Sequence, residues 1–193
     1  EGIRASLRPY VILLNNDTIF IRQETASDIL KTQKVIQEAF SNVKESDQSE
    51  HELVNKLRKL PQFIPELSLV AESINREIVG HVLLSEVQVV SNKRIGTLLA
   101  LAPLAVSPAW QKQGIGSALV NAAHREATRL NYKGIVVLGN PGYYSRFGYV
   151  RASEFGIMMP FPDHMDRCLA MALQPNGLDD MNGDIVYPKV FFE

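Results

Sequence analysis

The sequence predicts a single α/β domain built on a mixed central β-sheet that helices flank. Strand patterns and helix patterns alternate along the 193 residues. Two nearly unbroken apolar runs, at residues 97–106 and 134–138, are typical of strands that are buried on both faces. A hydrophobic content of 46% is sufficient for one full core in a chain of this length.

The first half of the chain is predicted to contain one strand, two helices and a hairpin. The predicted elements are a strand at residues 18–22, helices at residues 25–40 and 49–60, and strands at residues 67–73 and 78–90. In the first helix, Leu30, Val35 and Ile36 are expected on the buried face, because apolar residues recur there at helical spacing. Ser49 begins a capping-box pattern for the second helix, and Pro61 ends that helix. The last two strands, separated by a short polar turn, indicate an antiparallel hairpin.

The second half of the chain continues this alternation and ends in a tail. Its predicted elements are a strand at residues 97–106, a helix at 114–130, a strand at 134–138, a short helix at 143–147, and strands at 155–159 and 168–173. We assign residues 18–173 to the domain and residues 174–193 to a C-terminal tail that packs on it. Residues 1–17 are interpreted as an N-terminal extension, either appended to the native chain or left by processing, and no function is assigned to them.

The stretch from residue 97 to residue 119 organises the chain, because a buried strand is followed by a glycine-containing turn and then by a helix. A helix start leaves backbone N–H groups without intrahelical partners and carries the positive end of the helix dipole. Gly114 and Gly116, which lack a Cβ, let a phosphate approach those groups. The order therefore predicts a diphosphate cradle. The alternative is that Pro108 and the two glycines only make a tight strand-to-helix connection.

Pro103 interrupts the apolar run that precedes this turn. A proline cannot donate a hydrogen bond to a sheet, so it suggests a bulge or splayed pairing just before Leu104, Ala105 and Val106. Backbone groups that are left unpaired there become available to a ligand.

The composition excludes several classes of function. The formal net charge of −1 and the isoelectric point of about 6.5 give no basic surface for nucleic acid. Cys168 is the only cysteine, so the chain has no internal disulfide and fits a reducing compartment. No segment of the sequence is long and apolar enough to span a membrane. We therefore expect a cytoplasmic protein with no nucleic-acid or membrane partner.

Three motifs together resemble the GNAT superfamily of acyl-CoA-dependent N-acyltransferases. The motifs are Gln111-x-x-Gly114-x-Gly116, Asn140 followed by Tyr144-Ser-Arg-Phe-Gly-Tyr149, and Gly80-His81-x-Leu83-x-Ser85. The resemblance covers residues 18–173, and the order of predicted elements is similar to the GNAT fold. Within the superfamily the motifs are similar to a bacterial group of acetyltransferases of unassigned substrate. The resemblance implies transfer of an acetyl group from acetyl-CoA to a primary amine by direct attack, with no covalent enzyme intermediate and no metal.

The resemblance also implies which residues hold the co-substrate. In the superfamily the turn and helix start bind the coenzyme A diphosphate, and the preceding strand pairs with the pantetheine arm. The residue that matches Asn140 often touches the pantetheine, and the tyrosine that matches Tyr144 lies near the thioester sulfur. The implied binding residues are Leu104, Ala105, Val106, Gln111, Lys112, Gln113, Gly114, Ile115, Gly116, Ser117, Asn140 and Tyr144.

The chemistry needs an oxyanion donor, an acid and a base. By family geometry the main-chain N–H of Val106 is expected to face the developing negative charge. Tyr144 is the expected acid for the departing thiolate. Many members of the superfamily carry a Glu or His base on the strand that here reads residues 101–106, and this sequence has only apolar residues there.

Glu86 on the preceding strand is our candidate base, acting through water, and Glu72 and His81 are open alternatives. For each of the three, the competing interpretation is a polar side chain on the solvated face of a strand.

The acceptor is expected to be a small molecule or a peptide that carries a primary amine. Residues 41–48 and 161–166 are predicted to line its pocket, because the matching loops flank the thioester in the superfamily. These loops carry Glu45, Asp47, Asp163 and Asp166, which favour a cationic amine. The protein is expected to be a monomer or a homodimer. The alternative function is a non-catalytic acyl-CoA-binding sensor or partner module.

Overall fold

The mixed β-sheet of this computed structural model has ten strands in the part of the chain that the structure describes, residues 10–14, 17–44, 46–92 and 94–193. The strands are β1 (Tyr10–Leu14), β2 (Asp17–Gln23), β3 (Phe63–Ser73), β4 (Ile78–Val90), β5 (Ile95–Val106), β6 (Gly134–Leu138), β7 (Val150–Arg151), β8 (Ile157–Met158), β9 (Cys168–Ala172) and β10 (Gly183–Val186). The helices are α1 (Ile29–Phe40), α2 (Glu50–Leu57), α3 (Ile115–Arg129) and α4 (Pro141–Tyr144). The predicted α/β class, one domain with a mixed sheet and flanking helices, is confirmed.

The chain forms two compact units within this fold. The first contains residues 1–52, 65–83 and 103–123. Its strands follow the order β1-β2-β3-β4-β5, and β2 runs antiparallel to β3 in a register that pairs Ile19 with Ser73 and Gln23 with Leu69. Its core is made of aliphatic side chains that strands and helices contribute. The largest of them are Ile19, Ile36, Leu67, Leu69, Leu83, Ile115 and Leu119.

The second unit contains residues 53–64, 84–102 and 124–193. Here β5 pairs in parallel with β6, and β9 lies antiparallel to β6 and to β7. The last strand, β10, pairs antiparallel with β4, so residues 183–186 of the C-terminal tail are part of the sheet. Its buried core is apolar and draws on all of these strands except the short β7. Its members include Val87, Val89, Leu98, Val136, Ile157, Ala170, Leu178 and Ile185.

The first helix differs from its prediction in its start and in its buried face. Residues 26–28 form a 3₁₀ turn, in which Thr25 and Asp28 cap each other, and α1 begins only at Ile29. Leu30 is 79% exposed, so its assignment to the buried face is wrong. Six residues at 100° each place Leu30 about 120° away from the buried Ile36 around the helix axis.

The predicted strand at residues 155–159 is also wrong for most of its length. Residues 152–155 form a 3₁₀ turn, and Gly156, with a φ of 68°, ends that turn in the left-handed region. Only Ile157–Met158 are extended, as the short strand β8. In the predicted N-terminal extension, Tyr10–Leu14 pair with β2, and residues 1–9, 15 and 16 lie outside the described residues.

Candidate active site

The turn between β5 and α3 has the backbone of an anion cradle. Lys112 and Gly114 adopt left-handed conformations, with φ values of 62° and 91°. The first intrahelical bond of α3 joins the Ala118 N–H to the Gly114 carbonyl at 3.0 Å. The N–H groups of Ile115, Gly116 and Ser117 therefore precede the hydrogen-bond ladder of the helix. These groups and the positive end of the helix dipole suit a phosphate.

Two predicted binding side chains support this turn rather than extend from it. Gln111 donates its Nε2 hydrogen to the Val106 carbonyl at 3.0 Å. Gln113 donates in the same way to the Ala109 carbonyl at 3.2 Å. The Lys112 side chain is exposed, and a lysine rarely adopts a left-handed backbone. The cradle is thus a main-chain feature, which its own glutamine side chains hold in place.

The strand that leads to the cradle, β5, continues beyond the residues that pair with β6. In the pairing of β5 with β6, Leu99 lies opposite Ile135 and Ala100 lies opposite Val136. β5 continues beyond this register to Val106, through the Pro103 at which the sequence predicted a splay. The pairing of β5 with β6 therefore ends before Pro103, and the splay at that residue stays a prediction.

Gly80 allows a close approach of β4 at the end of β5. A Cβ at this position would lie 3.2 Å from the Ala105 carbonyl oxygen and 2.9 Å from a methyl carbon of Leu119. The Ser107 N–H also donates to the Val79 carbonyl at 2.9 Å. The glycine of the Gly80-His81 motif is therefore explained by packing between β4, β5 and α3.

Asn140 and Gly139 position the short helix that carries Tyr144. Asn140 is the N-cap of α4, and its Oδ1 accepts a hydrogen bond from the Gly142 N–H at 2.8 Å. The Asn140 Nδ2 is not used by this cap. A Cβ on Gly139 would lie 2.3 Å from the Tyr144 ring, so only glycine leaves room for the ring where it stands.

The Tyr144 ring is buried and held by other aromatic rings. Its side chain is 8% exposed, and its ring centroid lies 5.1 Å from that of Tyr143 and 5.3 Å from that of Tyr149. Burial, and to a smaller extent Tyr143, raises the pKa of the Tyr144 phenol well above its usual value. The phenol is therefore protonated at neutral pH. Tyr143 is less buried, and the Arg146 guanidinium stacks 4.1 Å from its ring centroid.

A hydrogen-bonded pair that sequence reasoning missed adjoins this ring cluster. His124, on α3, places its Nε2 2.9 Å from the Tyr149 hydroxyl. Burial lowers the pKa of His124 to about 4, so the imidazole is neutral and can accept a hydrogen bond from the Tyr149 hydroxyl. The sequence feature that could have indicated this pair is a histidine in a helix that is rich in alanine.

Glu86, the candidate base, is half-buried on β4 and is engaged by one hydroxyl. The Tyr132 hydroxyl donates to the Glu86 Oε1 at 2.5 Å. The same carboxylate lines a cavity of about 190 Å³. Glu86 thus combines a fixed orientation with access to a space that a small molecule can enter.

The two alternative bases have different surroundings. Glu72 accepts a hydrogen bond from the Arg22 Nε at 2.8 Å, and Arg22 also binds Asp28. His81 is fully buried, with its Nε2 3.0 Å from the hydroxyl of Ser68. Glu72 therefore neutralises an arginine, and His81 is part of the interior hydrogen bonding of the first unit.

The two loops predicted to line the acceptor pocket differ in the role of their acids. The Asp47 carboxylate accepts hydrogen bonds from the N–H and hydroxyl of Ser49, which lower its pKa, and it lies just before α2. Glu45 lies outside the described residues. Asp163 and Asp166 are exposed in a 3₁₀ stretch, and Phe161 beside them packs against Tyr187, with ring centroids 5.6 Å apart.

Neither a metal group nor a membrane helix is found in the described part of the chain. Its His, Cys, Asp and Glu residues form no group of three or more that could hold a metal ion. None of its helices has the length and apolar character needed to cross a bilayer.

Comparison with known proteins places this geometry in a family. The family model described as "Acetyltransferase (GNAT) domain" matches residues 65–151. The uncharacterized N-acetyltransferase YhbS of Escherichia coli K12 is 30% identical over 147 residues, which are 76% of this chain and 85% of the relative.

Two solved structures extend the likeness over most of the chain. The crystal structure of the GNAT family N-acetyltransferase YhbS from Escherichia coli in complex with CoA has a TM-score of 0.81 and 25% identity, covering 100% of this chain and 97% of the other. A GNAT family acetyltransferase from Brucella melitensis in complex with acetyl-CoA has a TM-score of 0.74 and 30% identity, covering 90% and 97%.

The fold and the matches define an N-acetyltransferase. The chain belongs to the GNAT superfamily of acyl-CoA-dependent N-acyltransferases, and the resemblance found in the sequence is confirmed.

Proposed function

We propose that this protein transfers the acetyl group of acetyl-CoA to a primary amine of a small-molecule or peptide acceptor. The observation that carries the proposal is the start of α3, where the N–H groups of Ile115, Gly116 and Ser117 precede the first intrahelical bond. The CoA and acetyl-CoA present in the two similar structures support the same co-substrate. Because Cys168 is a free buried thiol, we assign the reaction to a reducing compartment, the cytoplasm.

Acetyl-CoA is proposed to bind along β5 and the cradle. The main chain of residues 111–117 holds the diphosphate, and the backbone of residues 104–106, beyond the register with β6, pairs with the pantetheine. Asn140 contributes its Nδ2 as a donor, since its Oδ1 already caps α4.

The proposed chemistry is direct attack of the amine nitrogen on the thioester carbon. The nitrogen–carbon bond forms, the carbon–sulfur bond breaks, and the Val106 N–H stabilises the oxyanion between these events. Glu86 takes up the proton that the amine loses, directly or through a water. Tyr144 donates a hydrogen bond to the sulfur and gives its proton to it as the thiolate leaves, and it regains a proton from solvent.

Gly114→Asp tests the cradle. Coenzyme A at a hundred times its dissociation constant should stabilise the wild-type protein by about 2.7 kcal/mol. The variant should lose this stabilisation, because a side chain and a like charge enter the cradle. Gly156→Asp is a matched control, since Gly156 also has a positive φ, of 68°, but lies outside the cradle, so it should retain the coenzyme A effect.

Release of free thiol from acetyl-CoA in the presence of a panel of amines tests the activity. Amine-dependent thiol release by the wild-type protein, lost in Gly114→Asp, is the expected result. Coenzyme A binding with no thiol release from any amine would instead favour the sensor module. Undiminished coenzyme A binding by Gly114→Asp would place the binding site elsewhere.

A further inference from the structure

The cavity next to Glu86 has a lining with one charged side chain. It is formed within the second unit by β4, β5 and the segment that follows β10, and its volume is about 190 Å³. Its lining is Gln62, Glu86, Val87, Gln88, Thr97, Val186, Tyr187 and Pro188. Glu86 is the single ionisable acid among these residues, and the lining contains no lysine, arginine or histidine. The charge of this lining therefore selects for a cation.

Hydrogen bonding fixes the carboxylate in this cavity. Glu86 presents Oε1 to the Tyr132 hydroxyl at 2.5 Å, and its own N–H donates to the Gln62 carbonyl at 3.1 Å. Gln88 lies two residues further along β4, on the same face of the strand. The lining thus combines one carboxylate with amide and hydroxyl groups, which can accept hydrogen bonds from an ammonium group.

An aromatic ring forms another wall of the cavity. Tyr187 is 8% exposed, and the rings of Phe161 and Phe191 lie 5.6 Å and 4.8 Å from its own. An aromatic face attracts a cation, and ring packing on other sides keeps Tyr187 in place. Phe161 begins the loop at residues 161–166, so this contact connects a predicted acceptor loop to a residue that lines the cavity.

We propose that this cavity binds the acceptor of the reaction as a small aliphatic amine, with its ammonium group on Glu86. The assignment rests on the proposed acetyltransferase function. The volume of about 190 Å³ is below the roughly 300–1,000 Å³ of typical ligand pockets, which favours an amine with a short carbon chain. The His, Cys, Asp and Glu residues of the described part of the chain form no group of three or more that could hold a metal ion, so the cation that fits is organic.

Titration calorimetry with 1,4-diaminobutane tests the site in the 193-residue chain without acetyl-CoA. Gln88→Lys is the main variant, because Gln88 is exposed and a lysine there places a competing cation in the cavity without disturbing the core. We expect it to weaken diaminobutane binding by at least tenfold, and Glu86→Gln to do the same. Glu154→Gln removes one negative charge at an exposed position outside the lining and should bind the diamine like the wild type.

Steady-state kinetics and the coenzyme A effect separate the two proposals. Gln88→Lys should raise the KM for the diamine by tenfold or more while coenzyme A still raises its unfolding temperature as in the wild type. Wild-type diamine affinity in Gln88→Lys overturns the amine site, as does turnover restricted to lysine peptides with an unchanged KM in that variant. Absence of any coenzyme A effect in the wild type counts against the acetyltransferase proposal alone, because the amine titration contains no acetyl-CoA.

Discussion

Gly139→Ala should move the Tyr144 ring and so separate catalysis from co-substrate binding. Gly139 follows β6 directly, and its Cα faces the side of the Tyr144 ring. A Cβ built at this position lies 2.3 Å from the ring Cε2 and 2.7 Å from Cδ2. Such contacts do not occur below 3.0 Å in real structures, so the ring has to move by at least about 0.7 Å, the difference between 3.0 and 2.3 Å.

The size of this shift sets the expected effects. An overpacked core site typically loses about 1–3 kcal/mol of unfolding free energy. A misplacement of roughly 1 Å can lower the rate of a positioned reaction by about 10²-fold. If Tyr144 is the general acid, the variant should therefore lose on the order of 10² in kcat. The cradle is a main-chain feature of residues 111–117, so the affinity for acetyl-CoA should stay close to that of the wild type.

Thiol release at saturating acetyl-CoA measures the loss of kcat, and thermal unfolding with and without coenzyme A measures stability and binding. Gly142→Ala is the matched control, since its Cβ would approach only the Asn140 Oδ1, at 3.2 Å, and not the Tyr144 ring. A Gly139→Ala variant with wild-type kcat and clear destabilisation would show that the ring position does not matter for the reaction. Equal losses of kcat in the two variants would point to a general disturbance of α4.

Two further predictions concern single side chains of the second unit. Tyr144→Phe should lower kcat by roughly 10² to 10⁴ with near-normal acetyl-CoA binding, whereas Tyr143→Phe should have little effect; the reverse order of effects would assign the acid to Tyr143. Burial lowers the pKa of His124 from 6.5 to about 4, so its contribution to stability is present above pH 6.5 and is lost as the pH falls towards 4. Denaturant unfolding of the wild type at a series of pH values should show this loss of unfolding free energy, and the His124→Gln variant should lose less. If the two proteins lose the same unfolding free energy over this pH range, His124 is not its cause.

Local sequence patterns were sufficient for the order of strand, turn and helix at residues 97–119 and for most of the sheet. The strand Ile78–Val90 and the strand Gly134–Leu138 have the bounds that their apolar patterns predicted. The buried strand, the turn with glycines and the helix start at residues 97–119 could be predicted because they are neighbours in the chain. Pro103 predicts a splay of β5 by the same kind of local argument, the loss of one hydrogen-bond donor.

Contacts between distant residues account for what the sequence did not predict. The Tyr132 hydroxyl and Glu86 are 46 residues apart, and His124 and Tyr149 are 25 apart. No periodicity relates such residues, because strand pairing and helix packing bring them together. The two-residue strand Val150–Arg151 forms for a similar reason, since it is extended only where it pairs with β9.

Residues 101–106 contain no acidic side chain, so the group that accepts the proton of the amine has to lie on another part of the chain. Glu72 accepts a hydrogen bond from the Arg22 Nε, so a guanidinium already occupies one of its carboxylate oxygens. His81 is fully buried, so a solvated amine reaches it only if the interior opens. Glu72 and Glu86 each line a cavity, but the cavity of Glu72 also contains Arg22 and Arg76, whereas that of Glu86 contains no arginine and the orientation of Glu86 is held by one hydroxyl. A substrate ammonium can therefore reach Glu86 without meeting an arginine and without unfolding any part of the sheet, and the same carboxylate can then bind the amine and accept its proton.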